Sequence, residues 1–129
     1  MEAMPIISLP TQLYRDEHLT VNFDHRIAVL DSQCIVLTRK EYDLLALFVQ
    51  HAGEIVPRAA LLLRVWGYGA GIRTRTLDVH VRRLRKKLGS YAEQYIETIF
   101  GVGYRFQPFR TARVYKPEFG EHAAMAMGA

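Results

Sequence analysis

The clearest pattern along the chain is a helical alternation of apolar and cationic residues between positions 73 and 88. With successive residues about 100° apart around a helix axis, the apolar members share one narrow stripe: Leu77, Val81, Leu84 and Leu88. The opposite side of the same helix carries Arg75, Val79, Arg82, Arg83 and Lys86. This separation predicts an amphipathic helix over about residues 74–88, with one face in the core and the other in solvent.

Two earlier helices are predicted upstream of this basic helix. Thr38 and Glu41 have the spacing of a capping box, so a helix begins there, and it ends near Gly53. Its apolar residues lie nearly all round, which indicates a central core helix. A second helix, about Arg58 to Trp66, follows a short connection and precedes a glycine-containing loop. Helix, connector, helix, loop and basic helix is the order of a helix-turn-helix motif.

Short β-favouring runs lie on both sides of the helices. Between residues 13 and 37 they are separated by polar breaks, which predicts an antiparallel β-meander with a tight turn at Asp31 and Ser32. After the basic helix, Ile96, Thr98 and Phe100 alternate, and the apolar pattern resumes beyond residues 101–103, which predicts a β-hairpin over about 96–106. A hairpin in this place is a wing.

These elements together predict the fold class and its limits. The class is α+β: a winged helix-turn-helix with an N-terminal antiparallel β-meander, three helices and a C-terminal β-hairpin wing. Residues 1–12 are predicted to be a flexible arm or linker remnant, and residues 13–106 form the domain. Residues 107–129 are predicted to be a loosely held tail with a disordered end.

Composition and charge favour a binding protein with its own core. The chain has 129 residues and is 50% hydrophobic, enough for one domain. Residues 73–88 hold seven Lys and Arg against one acid, a net +6, whereas the chain is +4 and its remainder is therefore about −2. A merely solvated helix face normally mixes both signs. Charge concentrated in this way is typical of a site for a polyanion.

Other chemistry is poorly supported by the sequence. The five histidines lack ligand spacing, so we expect no metal and no cofactor, and no residue has the setting of a catalytic nucleophile or acid/base pair. Cys34, the only cysteine, lies in an apolar strand-like stretch and is predicted to be a small buried side chain. With no signal peptide and no long apolar run, we expect a non-enzymatic cytoplasmic protein without membrane contact.

Four segments together resemble the OmpR/PhoB class of winged-helix effector domains from bacterial two-component response regulators. They read LTRKEYDLL, IVPRAALLLRVWG, TRTLDVHVRRLRKKL and IETIFGVGYRF, and the similarity covers about residues 13–106. The resemblance implies a transcription regulator that places its third helix in the major groove of double-stranded promoter DNA. It implies a wing in the adjoining minor groove or along the backbone, and head-to-tail pairs on direct repeats.

The resemblance also assigns residues to DNA. On the third helix these are Arg75, Val79, His80, Arg82, Arg83 and Arg85, to which the helical wheel adds Lys86; Trp66, Thr98 and Tyr104 complete the set. We expect Arg83 to read a guanine edge and Val79 to meet a thymine methyl group. The other arginines and Lys86 are expected at phosphates. Packing is the alternative role for His80. For Trp66, a partly buried position in the core is an equally good explanation.

Several positions depart from the family pattern. Phe100 stands where some relatives have a minor-groove arginine, which predicts weak or absent base reading by the wing. The loop 67–73, which engages RNA polymerase in some relatives, has three glycines and no acid. Pro57 replaces a frequent hydroxyl cap, so the second helix needs other stabilisation at its start. Leu63 is either an exposed contact residue or additional core.

The whole protein and its function leave alternatives open at this stage. No phosphoacceptor receiver domain fits in 129 residues, so the chain is an excised effector domain or a stand-alone regulator, and Met1 and the tail slightly favour the second. A winged-helix protein-interaction adaptor and a sequence-indifferent architectural DNA binder are the rival functions. The concentrated charge of the third helix favours DNA over the adaptor.

Overall fold

The computed structural model describes residues 13–109 and 113–114, so the predicted arm and the end of the tail lie outside the described residues. The strands are β1 (Leu13–Arg15), β2 (Leu19–Asn22), β3 (Ile27–Leu30), β4 (Gln33–Ile35), β5 (Ile55–Pro57), β6 (Ile96–Ile99), β7 (Gly103–Phe106) and β8 (Arg113–Val114). The helices are α1 (Arg39–Gln50), α2 (Arg58–Leu61, continued by a π-helical turn over Leu62–Trp66), α3 (Thr76–Leu88) and α4 (Ala92–Tyr95). The predicted α+β class is confirmed.

The N-terminal strands form the predicted antiparallel meander, in a sheet of order β4-β3-β2-β1-β8. Asp31 and Ser32 join β3 to β4 with φ angles of 49° and 70°, the left-handed pair that a two-residue hairpin turn requires. The predicted burial of Cys34 is wrong, because its side chain is exposed. Successive strand residues face opposite sides, and on the edge strand β4 it is Ile35 that packs against the core.

The start of the tail belongs to the domain. Strand β8 pairs antiparallel with β1 through Tyr14↔Val114, and the N–H of Gln107 donates to the carbonyl of Tyr95 at 2.8 Å. The ring of Phe109 packs on that of Tyr95 at a centroid distance of 4.8 Å. Residues 107–109 and 113–114 thus contact the domain, while the loosely held tail predicted for residues 107–129 stays a prediction. The segment has a proline and no strand alternation, so nothing local signals this pairing.

A buried carboxylate joins this sheet to the C-terminal elements. Asp16 is 8% exposed and accepts hydrogen bonds from the hydroxyls of Tyr14 and Tyr95 and from the backbone N–H groups of Leu19 and Phe109. Burial and these bonds to Asp16 raise the pKa of both tyrosines. Because its acceptor sites are satisfied, the carboxylate can remain in the interior and fix the relative positions of β1, α4 and the tail.

Helix α1 is the central helix, as its sequence predicts. The capping box is present: the N–H of Glu41 donates to the Thr38 hydroxyl at 3.2 Å, and the N–H of Thr38 donates to the Glu41 carboxylate at 2.9 Å. Its apolar residues are buried all round, with Leu44, Leu45 and Phe48 fully inaccessible. The predicted α3 stripe packs on α1, because all four of its apolar residues are at most 1% exposed.

The C-terminal sheet has order β5-β7-β6, so the predicted wing hairpin carries a third strand, β5, that the sequence pattern does not predict. Gly103 is required by close approach, since a Cβ there would lie 2.1 Å from the carbonyl oxygen of Val56. The N–H of Arg58 donates to the carbonyl of Val102 at 3.0 Å. This bond supplies the start of α2 with the partner that Pro57 cannot give it.

The single turn of α4, preceded by a 3₁₀ turn at Gly89–Tyr91, is an addition to the three predicted helices. Within residues 13–109, no helix has the length and apolar character needed to cross a membrane.

Candidate nucleic-acid interface

The outward face of α3 is cationic. The residues that the helical wheel places there are all exposed in the structure: Arg75, Val79, Arg82, Arg83 and Lys86. In the described part of the chain, the side chains of Arg82, Arg83 and Lys86 have no hydrogen-bond or ion-pair partner. Val79 is 39% exposed among them, so the face offers apolar as well as charged surface. Three cations without internal partners are available to a polyanion.

The only acid of α3 is bound to other elements of the protein. The Oδ1 atom of Asp78 accepts from the Arg58 guanidinium at 2.6 Å and from the Tyr104 hydroxyl at 2.7 Å. The bond from Arg58 holds the pKa of Asp78 below its usual value, while burial and Asp78 raise the pKa of Tyr104 to about 12. The arrangement ties α2, α3 and β7 together, and Arg58 balances the negative charge.

Arg85 lies on the flank of α3 and contacts the wing. Its Nη2 donates to the carbonyl of Ile96 at 2.8 Å and to the hydroxyl of Thr98 at 2.7 Å, and its guanidinium carbon lies 5.7 Å from the Tyr104 ring centroid. The predicted DNA residues Arg85, Thr98 and Tyr104 therefore have partners inside the protein, and Tyr104 is only 6% exposed. Their contact with DNA stays a prediction.

Trp66 and His80 pack on one another at the end of α2. Their rings meet edge to face with a centroid distance of 4.9 Å. Nδ1 of His80 lies 2.8 Å from the carbonyl oxygen of Thr76, one turn earlier in α3. Trp66 is half-buried against the core. This geometry favours the packing interpretation of both residues.

The loop between α2 and α3 borders an open concavity of about 860 Å³, lined in part by Arg58, Leu62, Ile72 and Arg75. Ile72 is 51% exposed and Leu63 on the neighbouring helix is 55% exposed, so the alternative of extra core burial for Leu63 is wrong. At this π-helical end of α2, Leu62 and Val65 take the core positions and leave Leu63 in solvent.

The cluster of Arg58, Asp78 and Tyr104 is not predicted by the sequence pattern. Its residues are 20 and 26 positions apart along the chain. The sequence feature that could have indicated this cluster is Asp78, a single acidic residue in a strongly basic helix. Among the described residues, no three His, Cys, Asp or Glu side chains come together as a metal site.

Comparisons with known proteins agree with this geometry. Residues 32–106 match the family described as "Transcriptional regulatory protein, C terminal". The uncharacterised transcriptional regulatory protein YclJ of Bacillus subtilis is 43% identical over 91 residues, which are 70% of this chain and 40% of YclJ. The phosphate regulon regulator PhoB of Pseudomonas aeruginosa is 42% identical over 82 residues, 64% of this chain and 35% of PhoB. The chain thus spans well under half the length of these curated relatives.

A solved structure with the same fold is the DNA-binding domain of Klebsiella pneumoniae RstA, crystallised in complex with the RstA box. It superposes with a TM-score of 0.69 at 32% identity, covering 74% of this chain and 97% of that domain. The N-terminal sheet, the three main helices and the hairpin are those of a winged-helix domain. The chain therefore belongs to the family formed by the C-terminal domains of OmpR/PhoB-type transcriptional regulatory proteins, as its sequence motifs predict.

Proposed function

We propose that this chain binds promoter DNA and regulates transcription in a sequence-specific manner, with no enzymatic activity of its own. The observation that carries the proposal is the outward face of α3, where Arg82, Arg83 and Lys86 have no partner among the described residues while Arg58 balances Asp78. An α-helix of this kind fits the major groove. The RstA domain, with the same fold, was solved bound to its DNA box. The bacterial cytoplasm is the corresponding location.

The exposed residues of α3 are proposed to have two roles, contact with base edges and contact with phosphates. Arg83 is the proposed base reader, because a guanidinium can donate twice to guanine, and Val79 is proposed to meet a thymine methyl group. Arg75, Arg82 and Lys86 are proposed phosphate contacts, which position the helix without reading sequence. Trp66, His80, Thr98 and Tyr104 are proposed as additional contacts to the DNA backbone.

Pairing on DNA and contact with RNA polymerase are further parts of the proposal. One reading helix covers only a few base pairs, so two copies are expected head to tail on direct repeats about 10 base pairs apart. Inserting about five base pairs between the half-sites places the copies on opposite faces and should abolish cooperative binding. Binding that ignores the spacing would refute pairing. The loop 67–73, with Ile72 exposed, is the proposed polymerase contact.

The adaptor function keeps one observation in its favour, the exposed Leu63 and Ile72 beside the concavity. It leaves the unpartnered cations of α3 unexplained. An architectural DNA binder would use those cations without sequence preference.

Footprinting on genomic fragments, followed by titration of the protected sequence, tests the proposal. We expect a defined protected site whose affinity falls about tenfold in Arg83→Ala, the loss of one bidentate base contact. The matched control is Arg15→Ala, which removes an exposed arginine from strand β1. No protected site with measurable DNA binding would favour the architectural function, and no DNA binding would favour the adaptor.

A further inference from the structure

The tip of the wing is apolar and uncharged. Phe100 is 90% exposed, the highest value for a large apolar side chain in the described part of the chain, and Val102 beside it is 45% exposed. From Thr98 to Tyr104 the sequence contains no charged residue. A tip of this composition cannot bind DNA by neutralising phosphates. Two neighbouring exposed apolar side chains favour contact with an apolar surface of another molecule.

The backbone of this tip is fixed. The N–H of Val102 donates to the carbonyl of Ile99 at 2.9 Å, and Gly101 has a φ of +77°, so the tip is a tight turn. The Val102 carbonyl accepts from the N–H of Arg58, and Gly103 lies directly against β5. The exposed Phe100 ring therefore projects from a rigid base and needs little ordering when it binds.

The tip also lies beside the first turn of α3. A concavity of about 310 Å³ separates the two and is lined by Phe100, Val102, Asp78 and Arg58. Farther down the hairpin, Arg85 bonds Thr98 and sets the distance between α3 and the wing. The wing tip is thus a neighbour of α3, the helix whose cationic face is proposed to bind DNA.

We propose that Phe100 is a wedge that enters the minor groove beside the α3 site, partly unstacks one base step and bends the duplex. The inference rests on the proposed function and adds a mode of recognition to it. The base stack is the apolar surface that DNA offers, and aromatic rings inserted between base steps bend DNA toward the major groove. The cations of α3 attract the phosphates of the duplex and so bring it to the uncharged tip.

The wedge has a consequence for sequence preference. Pyrimidine–purine steps such as TA and CA unstack easily, whereas A-tracts are stiff. The site should therefore contain a flexible step next to the bases that α3 reads. This preference would arise at a position where no hydrogen bond is made to a base.

The test measures DNA bending by energy transfer between dyes at the two ends of a duplex carrying the footprinted site, with the full chain. We expect the wild-type complex to be bent at least about 20° more than the Phe100→Ala complex. Phe100→Leu should retain part of the bend, since leucine also acts as a wedge. The control is Val36→Ala, which truncates an 83% exposed apolar residue next to the other sheet and should change nothing.

A second measurement compares affinities on two duplexes, one with a flexible step and one with that step replaced by an A-tract. Phe100→Ala should lose about tenfold on the first, near the low end for one base–aromatic contact, and much less on the second. Equal bends and equal affinities for wild type and variant would overturn the wedge and leave the proposed function intact. Loss of cooperativity with an unchanged bend would overturn it in favour of contact with a second copy. Failure of the wild type to bind any duplex would overturn both.

Discussion

Two groups of charged side chains on the same helix have opposite surroundings. On the flanks of α3, Asp78, Arg85 and Lys87 each bond another element: Arg58 of α2, the wing, and Glu41 of α1. On the outward face, Arg82, Arg83 and Lys86 have no internal partner in the described part of the chain. The comparison teaches that net charge alone does not identify the binding residues. Cations that bond other elements of the protein hold α3 in position, and cations without such partners are free to bind another molecule.

The Lys87–Glu41 pair shows how the first group works. Nζ of Lys87 lies 2.5 Å from the carboxylate of Glu41, which is 2% exposed and also caps α1. Burial acts to raise the pKa of Glu41, but the hydrogen bonds from Lys87 and from the N–H of Thr38 outweigh it and hold the pKa below its usual value. The C-terminal end of α3 is thereby fixed to the start of the central helix.

Arg85→Ala should have the largest effect on stability. It removes two charge-assisted hydrogen bonds and the contact with Tyr104, and it leaves the buried side of the wing with unpaired acceptors. We expect the free energy of unfolding to fall by about 2–3 kcal/mol, measured by urea denaturation. The matched variant Arg82→Ala, three residues earlier, should stay within about 0.5 kcal/mol of the wild type. Equal losses from both would remove the distinction between the two groups.

Lys87→Ala and Lys86→Ala form a second matched pair, from adjacent positions. The first leaves the carboxylate of Glu41 without its cation and should lower the free energy of unfolding by about 2 kcal/mol. The second should leave stability unchanged and reduce the salt slope of DNA binding by about 1. Denaturation and anisotropy titrations on the same preparations check both halves. A reversed pattern would show that the structure assigns these lysines wrongly.

Arg83→Ala and Arg82→Ala separate reading from positioning within the outward face. Loss of Arg83 should cost about 1–3 kcal/mol of binding free energy on the specific site and relax the preference at one base pair. Loss of Arg82 should weaken all sequences alike. Titration against single-base variants of the footprinted site is the measurement. Sequence-independent losses from both variants would make the protein architectural.

Substitution of Asp78 should have the smallest effect on stability, and this effect should depend on pH. Its pKa is lowered in the folded state, chiefly by the bond from Arg58, so its contribution is present above the unfolded pKa near 3.8 and disappears as the pH falls through the folded value. The pair is nearly half exposed, which limits its contribution to less than about 1 kcal/mol. Asp78→Asn should therefore reduce stability at pH 7 and have progressively less effect as the pH falls below 3.8 and the wild-type carboxylate becomes protonated. A difference that stays unchanged as the pH falls would exclude this ionic role.

Local patterns account for what the sequence predicts well. The α3 stripe follows from periodicity, the start of α1 from the Thr38 and Glu41 capping box, and the β3–β4 turn from Asp31 and Ser32. The outward face also follows, because a helical wheel identifies exposed positions without tertiary information.

Long-range contacts account for what it misses. Arg83 and Arg85 have similar surroundings in the sequence. Only Arg85 donates hydrogen bonds to the wing strand, 11 and 13 residues later in the chain, and these bonds distinguish the two arginines. Strand β8 depends in the same way on pairing with β1, nearly the whole domain earlier in the chain. Cys34 was misjudged because an apolar neighbourhood does not indicate which side of an edge strand each residue occupies.

The salt dependence of DNA affinity tests the central claim most directly. If the unpartnered cations of α3 and the elements around them neutralise roughly four to six phosphates, log affinity should fall against log salt with a slope of about −4 to −5. The slope should become less steep by about 1 in Arg82→Ala and stay unchanged in Lys87→Ala under conditions where both variants are folded. A wild-type slope near zero, or equal changes in the two variants, would contradict the account.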